Sequence, residues 1–164
     1  MALTDSIDQW DGKSAKDITA VYNRYYREPD FAPHCIKLLA EPHRQKAASW
    51  LLKHHLETGH SLSTAQLNQV CKALDALHDW ESQLHLLQLL AGQRFSAPQR
   101  QALEPFVRQC LTATHKFVRA WAYNLLHELA QQFPDLAKDA RDIIAATERD
   151  EAPSVKARLR QLQR

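Results

Sequence analysis

The sequence has few of the residues that build strands and tight turns. Only three of the 164 residues are glycine, and Val, Ile and Thr never alternate in the runs that are typical of strands. Leu, Ala, Gln, Arg and Lys are abundant instead. Because these residues favour helices, the composition predicts an all-α protein, and the length is sufficient for a domain with its own core.

Signals for membrane insertion and secretion are also absent. No apolar run approaches the ~20 residues that a membrane-spanning helix needs. The acidic start of the chain, MALTDSIDQWDGK, lacks the basic region and apolar core of a signal peptide. Three cysteines are an odd number, which argues against a disulfide framework. We therefore expect a cytoplasmic protein that does not contact the membrane.

The motifs of the common catalytic and metal sites are missing. The chain contains no Cys-x-x-Cys, no His-Glu-x-x-His, no glycine-rich phosphate loop and no Gly-x-Ser-x-Gly. Nine histidines are scattered along the sequence. We therefore predict a protein that is not an enzyme, with no catalytic residue, no metal and no cofactor.

The charge is nearly balanced but unevenly placed. The formal net charge is +2 and the isoelectric point is about 8.5. A dedicated nucleic-acid binder typically has an isoelectric point above ~9. The stretch PSVKARLRQLQR at the end carries four basic residues and no acid, whereas Asp5, Asp8 and Asp11 lie near the start. Nucleic acid is therefore an alternative partner and not the leading one.

Apolar spacing and capping residues predict a series of helices. Residues 1–13 are predicted to be a flexible N-terminus. Ser14 caps a helix over 14–27, in which Ile18, Val21, Tyr22 and Tyr25 form one apolar stripe. Proline and glycine breaks then divide the chain into eight further helices. ETGHSLS (57–63) and AGQRFSAP (91–98) each hold a glycine after one helix and a serine cap before the next. Their predicted ranges are 31–40, 43–58, 63–77, 79–92, 98–113, 115–132, 135–148 and 153–163.

The helices repeat with a period near 37 residues. VRAWAYNLL, which begins at Val118, aligns with VKARLRQLQ, which begins at Val155, 37 residues later. The three cysteines recur at positions 35, 71 and 110, each midway along the first helix of a predicted pair, and we expect them to pack in the core. Paired helices of this kind bury their apolar faces by stacking on their neighbours. The pattern predicts a single right-handed α-solenoid domain over residues 14–164, with four helical hairpins and the 14–27 helix as an N-terminal cap.

One family resemblance follows from these residues. FVRAWAYNLL resembles the second helix of a HEAT repeat through Val118, Arg119, Ala122, Leu125 and Leu126, and PSVKARLRQL is a shorter match. The chain is thus similar to HEAT/armadillo-like helical repeat proteins, in particular to small bacterial-type HEAT repeat domains. The 34-residue pattern of tetratricopeptide repeats is absent. The resemblance implies a scaffold that recognises other macromolecules along a concave face, without implying a particular reaction.

The predicted binding residues lie on the second helices, which the resemblance places on the concave face. Arg and Tyr are favoured interface anchors. We expect this face to bind another protein, and the chain to be a monomer or a weak homodimer. The expected binding residues are Arg119, Tyr123, His127, Trp50, Lys53 and Lys156.

Two alternatives stay open for this face. HEAT-like DNA alkylation-repair glycosylases are similar in architecture and cradle duplex DNA in a basic concave groove, so nucleic acid is the alternative ligand. Several of the named side chains also have a structural interpretation. Arg119 can bond a neighbouring turn or its acid, and Trp50 and Tyr123 can pack between adjacent repeats.

Overall fold

The computed structural model describes residues 2–147 and 151–162, and the regular structure in these residues is entirely helical. The all-α prediction is therefore confirmed. In these same residues no helix combines the length and the apolarity that crossing a membrane requires. The α-helices are α1 (Leu3–Gln9), α2 (Ala15–Tyr25), α3 (Phe31–Leu38), α4 (Gln45–Glu57), α5 (Thr64–Ala73), α6 (Trp80–Leu90), α7 (Ala97–Leu111), α8 (Lys116–Gln132), α9 (Ala137–Thr147) and α10 (Pro153–Leu162).

The helix boundaries follow the predicted caps. The side chains of Ser14, Ser63 and Ser96 each accept a hydrogen bond from the backbone N–H three residues later. Gly59 and Gly92, which follow α4 and α6, have φ angles of 102° and 81°. This left-handed conformation strains any residue with a Cβ, which is why glycine ends these helices.

Helix α1 lies within the segment that the sequence predicted to be flexible. Leu3 and Ile7 are buried, α1 packs against α2, and the Ser6 hydroxyl lies 3.0 Å from the Tyr25 hydroxyl. A helix of seven residues with two apolar positions is too short to be recognised in the sequence from the periodic spacing of apolar residues. Its contacts with α2 stabilise it, since isolated short helices are marginal in water.

The chain forms two compact units, Met1–Leu89 and Leu90–Arg164. The domain limits expected from the sequence, 1–13 and 14–164, stay predictions. In the first unit α3 packs against α4 and α5, and α2 packs against α4. In the second unit α8 packs against α7, α9 and α10. One helix in each unit, α3 and α8, therefore contacts both the next helix in the chain and the helix after that.

Polar contacts within each unit join residues about one sequence period apart. In the first unit, Ser49 and His85 are hydrogen-bonded at 2.8 Å across 36 residues. In the second, the backbone N–H of Phe95 donates to the Gln132 side chain at 2.9 Å across 37 residues. These separations match the 37-residue offset of the sequence alignment.

The three cysteines are buried, as predicted. Cys35 lies near the middle of α3, whereas Cys71 and Cys110 lie in the last turns of α5 and α7. Burial raises the pKa of the Cys71 thiol to about 11 and that of Cys110 to about 12, and it also raises the pKa of Cys35. These side chains are therefore protonated at neutral pH and act as small apolar groups in the core.

A buried glutamine ties the start of α4 to the turn before α6. Gln45 is 1% exposed, and its side-chain oxygen accepts from the backbone N–H groups of His78 at 2.9 Å and Asp79 at 3.1 Å. Its amide nitrogen donates to the Ala76 carbonyl at 3.1 Å. One side chain thus satisfies backbone groups that the turn would otherwise bury unpaired.

We predict that Gln45→Ala lowers the free energy of unfolding by about 2–4 kcal/mol, because it leaves several backbone groups of this turn without partners. Chemical denaturation measures the change. The exposed Gln69→Ala in α5 is the matched control and should change stability by less than ~0.5 kcal/mol. Equal effects of the two substitutions would contradict the role given to Gln45.

Candidate functional site

The six residues expected from the sequence to bind a partner divide between the two units. Trp50 and Lys53 lie on α4 in the first unit. The other four lie in the second unit, where Arg119, Tyr123 and His127 are on α8 and Lys156 is on α10. The structure brings Arg119 and Tyr123 together, since both contact Glu151.

Arg119 has a complete set of internal partners. Its Nη2 donates to Glu151 at 2.7 Å, and its Nη1 donates to the carbonyls of Ala113 at 2.9 Å and Thr114 at 2.8 Å. The Glu151 side chain is only 8% exposed. The hydrogen bond from Arg119 lowers the pKa of Glu151, and the same bond raises the pKa of Arg119. These are the contacts of the structural alternative, in which the arginine bonds a neighbouring turn and its acid.

Tyr123 is not exposed as the concave-face interpretation required. It is 3% exposed and belongs to a buried cluster with Ile144, Val155 and Leu159. Its hydroxyl donates to Glu151 at 3.4 Å. Tyr123 lies on the side of α8 that the core cluster covers, and a helical pattern alone cannot separate a buried tyrosine from an exposed one.

The other predicted residues are partly exposed. The Trp50 ring stacks on the His54 imidazole with 4.7 Å between the ring centroids. The Lys53 ammonium pairs with Glu57 at 2.7 Å. His127 and Lys156 keep partly exposed side chains on α8 and α10.

Two exposed aromatic side chains lay outside the predicted set. In the described part of the chain, Trp80 at 40% and Phe117 at 46% are the large hydrophobic residues that stay exposed. They are separated by 37 residues, one sequence period, and each lies in the first turn of its helix, α6 or α8. The Lys116 ammonium lies 5.4 Å from the centroid of the Phe117 ring. Comparing equivalent positions of the period would have singled out this pair.

A groove between α1 and α2 also lay outside the predicted set. Its volume is about 300 Å³. The indole N–H of Trp10 donates to the Ser14 carbonyl at 2.9 Å, which fixes the ring at the edge of the groove. The lining residues are Ser6, Gln9, Trp10, Asp17, Ala20, Val21 and Arg24. They come from two helices and the turn between them, so no single stretch of sequence marks them.

Seven lysine and arginine side chains of the described residues are paired with carboxylates. The pairs include Lys46 with Glu81 at 2.8 Å and Arg100 with Asp135 at 2.6 Å. Within residues 2–147 and 151–162, no three or more His, Cys, Asp and Glu side chains are grouped to hold a metal ion. The paired cations are Arg44, Lys46, Lys53, Arg100, Arg108, Arg119 and Lys138.

Two histidines of the first unit are held in the neutral form. The Tyr22 hydroxyl lies 2.9 Å from His55 Nδ1, and the Ser49 hydroxyl lies 2.8 Å from His85 Nδ1. Burial, followed by the charges of His60 and His54, lowers the pKa of His55 to about 4. Burial, followed by the charge of Lys53, lowers the pKa of His85 to about 4.

Comparison with known proteins adds no family to this description. No protein-family model, no curated protein and no solved structure matches the chain. The resemblance to HEAT repeats therefore stays a prediction from the sequence pattern.

We predict that Arg119→Ala lowers the free energy of unfolding by about 3 kcal/mol, because it leaves the nearly buried Glu151 carboxylate without its cation. Arg119→Lys should recover only part of the loss, since one ammonium cannot reproduce the forked contacts. Chemical denaturation at neutral pH measures both. A stability equal to that of the wild type in Arg119→Ala would return this side chain to the candidate binding residues.

The lowered pKa values of His55 and His85 predict that the fold is sensitive to acid. Their pKa values are lower in the folded chain than the ordinary value of about 6.5, so the unfolded chain takes up protons first. The free energy of unfolding should therefore be constant above about pH 6.5 and fall as the pH approaches 4. His85→Gln should flatten this dependence, whereas His43→Gln, at an exposed position, should not. Denaturation curves across this range decide, and identical slopes in both variants would contradict the assignment.

Proposed function

We propose that this protein is a non-enzymatic scaffold that recognises another protein. The observation that carries the proposal is the exposed Phe117 ring in the first turn of α8, which Trp80 matches one period earlier in α6. Aromatic side chains are enriched in protein interfaces and supply much of the binding energy there. We assign these two rings to binding because each is partly exposed in the first turn of its helix.

The charge distribution supports a protein partner over nucleic acid. Phosphate backbones are bound by lysine and arginine side chains that are available to replace counterions. In the described residues, Arg44, Arg100 and Arg108 are each paired with two carboxylates. Such cations stabilise the fold and contribute less to a positive surface.

We also propose that the helices form repeats of the HEAT type. Polar contacts about one period apart within each unit, together with the Val118 and Arg119 pattern of α8, support helical hairpins of the HEAT kind. His127 and Lys156, which are partly exposed, are proposed as further contacts of the partner. We propose no partner role for Tyr123, because its ring is buried.

We predict that Phe117→Ser reduces capture of the partner by at least about tenfold, since an interface anchor contributes 2 kcal/mol or more. Tagged wild-type and variant proteins are used to capture partners from native lysate, with and without nuclease, and the captured proteins are quantified by mass spectrometry. Trp80→Ser should weaken capture as well.

Gln101→Ser, at an exposed position of α7, is the control and should leave capture unchanged. Thermal melting must show that all the variants keep the wild-type stability. Capture that survives nuclease but is indifferent to both aromatic substitutions would contradict the assigned anchors. Capture that disappears with nuclease would replace the protein partner with nucleic acid.

A further inference from the structure

The groove between α1 and α2 is lined by a regular stripe of one helix. Asp17, Ala20, Val21 and Arg24 follow the spacing i, i+3, i+4, i+7, so they lie in one row along α2. Another face of the same helix is buried through Ile18, since this residue is 0% exposed. Helix α2 therefore has one face in the core and a second face that borders open space. A row with this spacing is the surface that a second helix packs against.

Small side chains line the middle of the groove, so a ligand can approach the helix closely there, and a hydrogen bond fixes the aromatic ring at its edge. Ala20 is exposed and Val21 is partly exposed, so small side chains line the centre of the row. Trp10 borders the groove from the end of α1, and its indole is held by the Ser14 carbonyl at 2.9 Å. A prearranged aromatic wall reduces the side-chain entropy that binding loses.

The two ends of the groove carry opposite charges. Asp17 and Arg24 are seven residues apart, which is about 10.5 Å along a helix, so they are too distant to pair with each other. Within the described residues neither forms an ion pair, although seven other cations do. Both side chains are exposed, and the Arg24 guanidinium lies 5.7 Å from the centroid of the Tyr25 ring. Their spacing fits a ligand whose own charges are about 10 Å apart. The charges of a single amino acid are far closer together than this.

We propose that this groove binds an amphipathic helix of a partner protein, with an acidic and a basic residue seven positions apart and small apolar residues between them. The basic residue lies against Asp17 and the acidic residue against Arg24. The helix runs antiparallel to α2, because this direction places its acid towards its own N-terminus and its base towards its C-terminus, as the helix dipole favours. A helix is ~10 Å across, so one face enters the groove and the rest stays in solvent.

The test uses three fluorescent, lactam-stapled helical peptides with the same Ala and Leu residues on the binding face. They differ only in the two charged positions, seven residues apart: Glu with Lys, Glu with Glu, and Lys with Lys. Fluorescence anisotropy at low ionic strength measures their affinities for the full chain. The wild type should bind the Glu–Lys peptide about two- to fivefold more tightly than either of the others, as expected for one partly exposed charge contact.

Single charge reversals then test each end of the groove separately. Asp17→Lys should make the Glu–Glu peptide the tightest ligand, and Arg24→Glu should make the Lys–Lys peptide the tightest. These rankings do not depend on the direction in which the peptide binds. Asp75→Lys and Lys72→Glu change the net charge equally at exposed positions outside the groove lining and should keep the wild-type ranking. The same change of ranking in the control variants would overturn the proposal.

A steric variant tests the groove without altering charge. Ala20→Trp should fill the groove and weaken all three peptides by at least about tenfold, while Gln69→Trp on α5 should not. Circular dichroism must show unchanged helix content in both.

If no peptide binds the wild type, or if Ala20→Trp has no effect, the proposal fails. If the wild type sediments as a dimer that Ala20→Trp dissociates, a second copy of this chain occupies the groove and the partner-helix proposal is overturned. The aromatic anchors of the proposed function are not altered in any of these variants, so the two proposals fail independently.

Discussion

The described structure depends on one constraint: an amphipathic helix buries its apolar stripe only against other helices. In this chain those helices are the neighbour in the sequence and the one after it, as α8 shows by packing on α7, α9 and α10. The contact distance along the chain is therefore close to one period. The hydrogen bonds of Ser49 with His85 and of Phe95 with Gln132 span 36 and 37 residues for this reason.

The same constraint explains why so many polar side chains are structural. Where helices end, backbone groups need hydrogen-bond partners, and Gln45 and Arg119 supply them. A carboxylate such as Glu151 compensates the arginine that is drawn into this position. A polar side chain that is a candidate for binding in the sequence can thus have all its hydrogen-bonding groups paired within the folded chain. The candidate binding features are those that the fold does not use: the exposed Phe117 ring and the open groove beside Trp10.

Prediction from the sequence worked where the signal is local. Serine caps and glycine stops place the helix ends to within a few residues, because a cap interacts with the backbone of its own first turn. The buried cysteines were predicted because they recur on the apolar stripe of successive first helices. Helix α1 was not predicted, since its stability comes from contacts with α2 such as that of Ser6 with Tyr25.

The candidate site was predicted less well, for the same physical reason. Tyr123 and Arg119 share a stripe with His127, but the stripe does not show that α9 and α10 supply the residues that cover the Tyr123 ring. The sequence by itself determined the helices, their limits and their period, since spacing, caps and breaks act within one helix or turn. Only the tertiary structure decided which polar and aromatic side chains stay available. Exposure is set by neighbours that lie some 30 to 40 residues away in the chain and that no local pattern specifies.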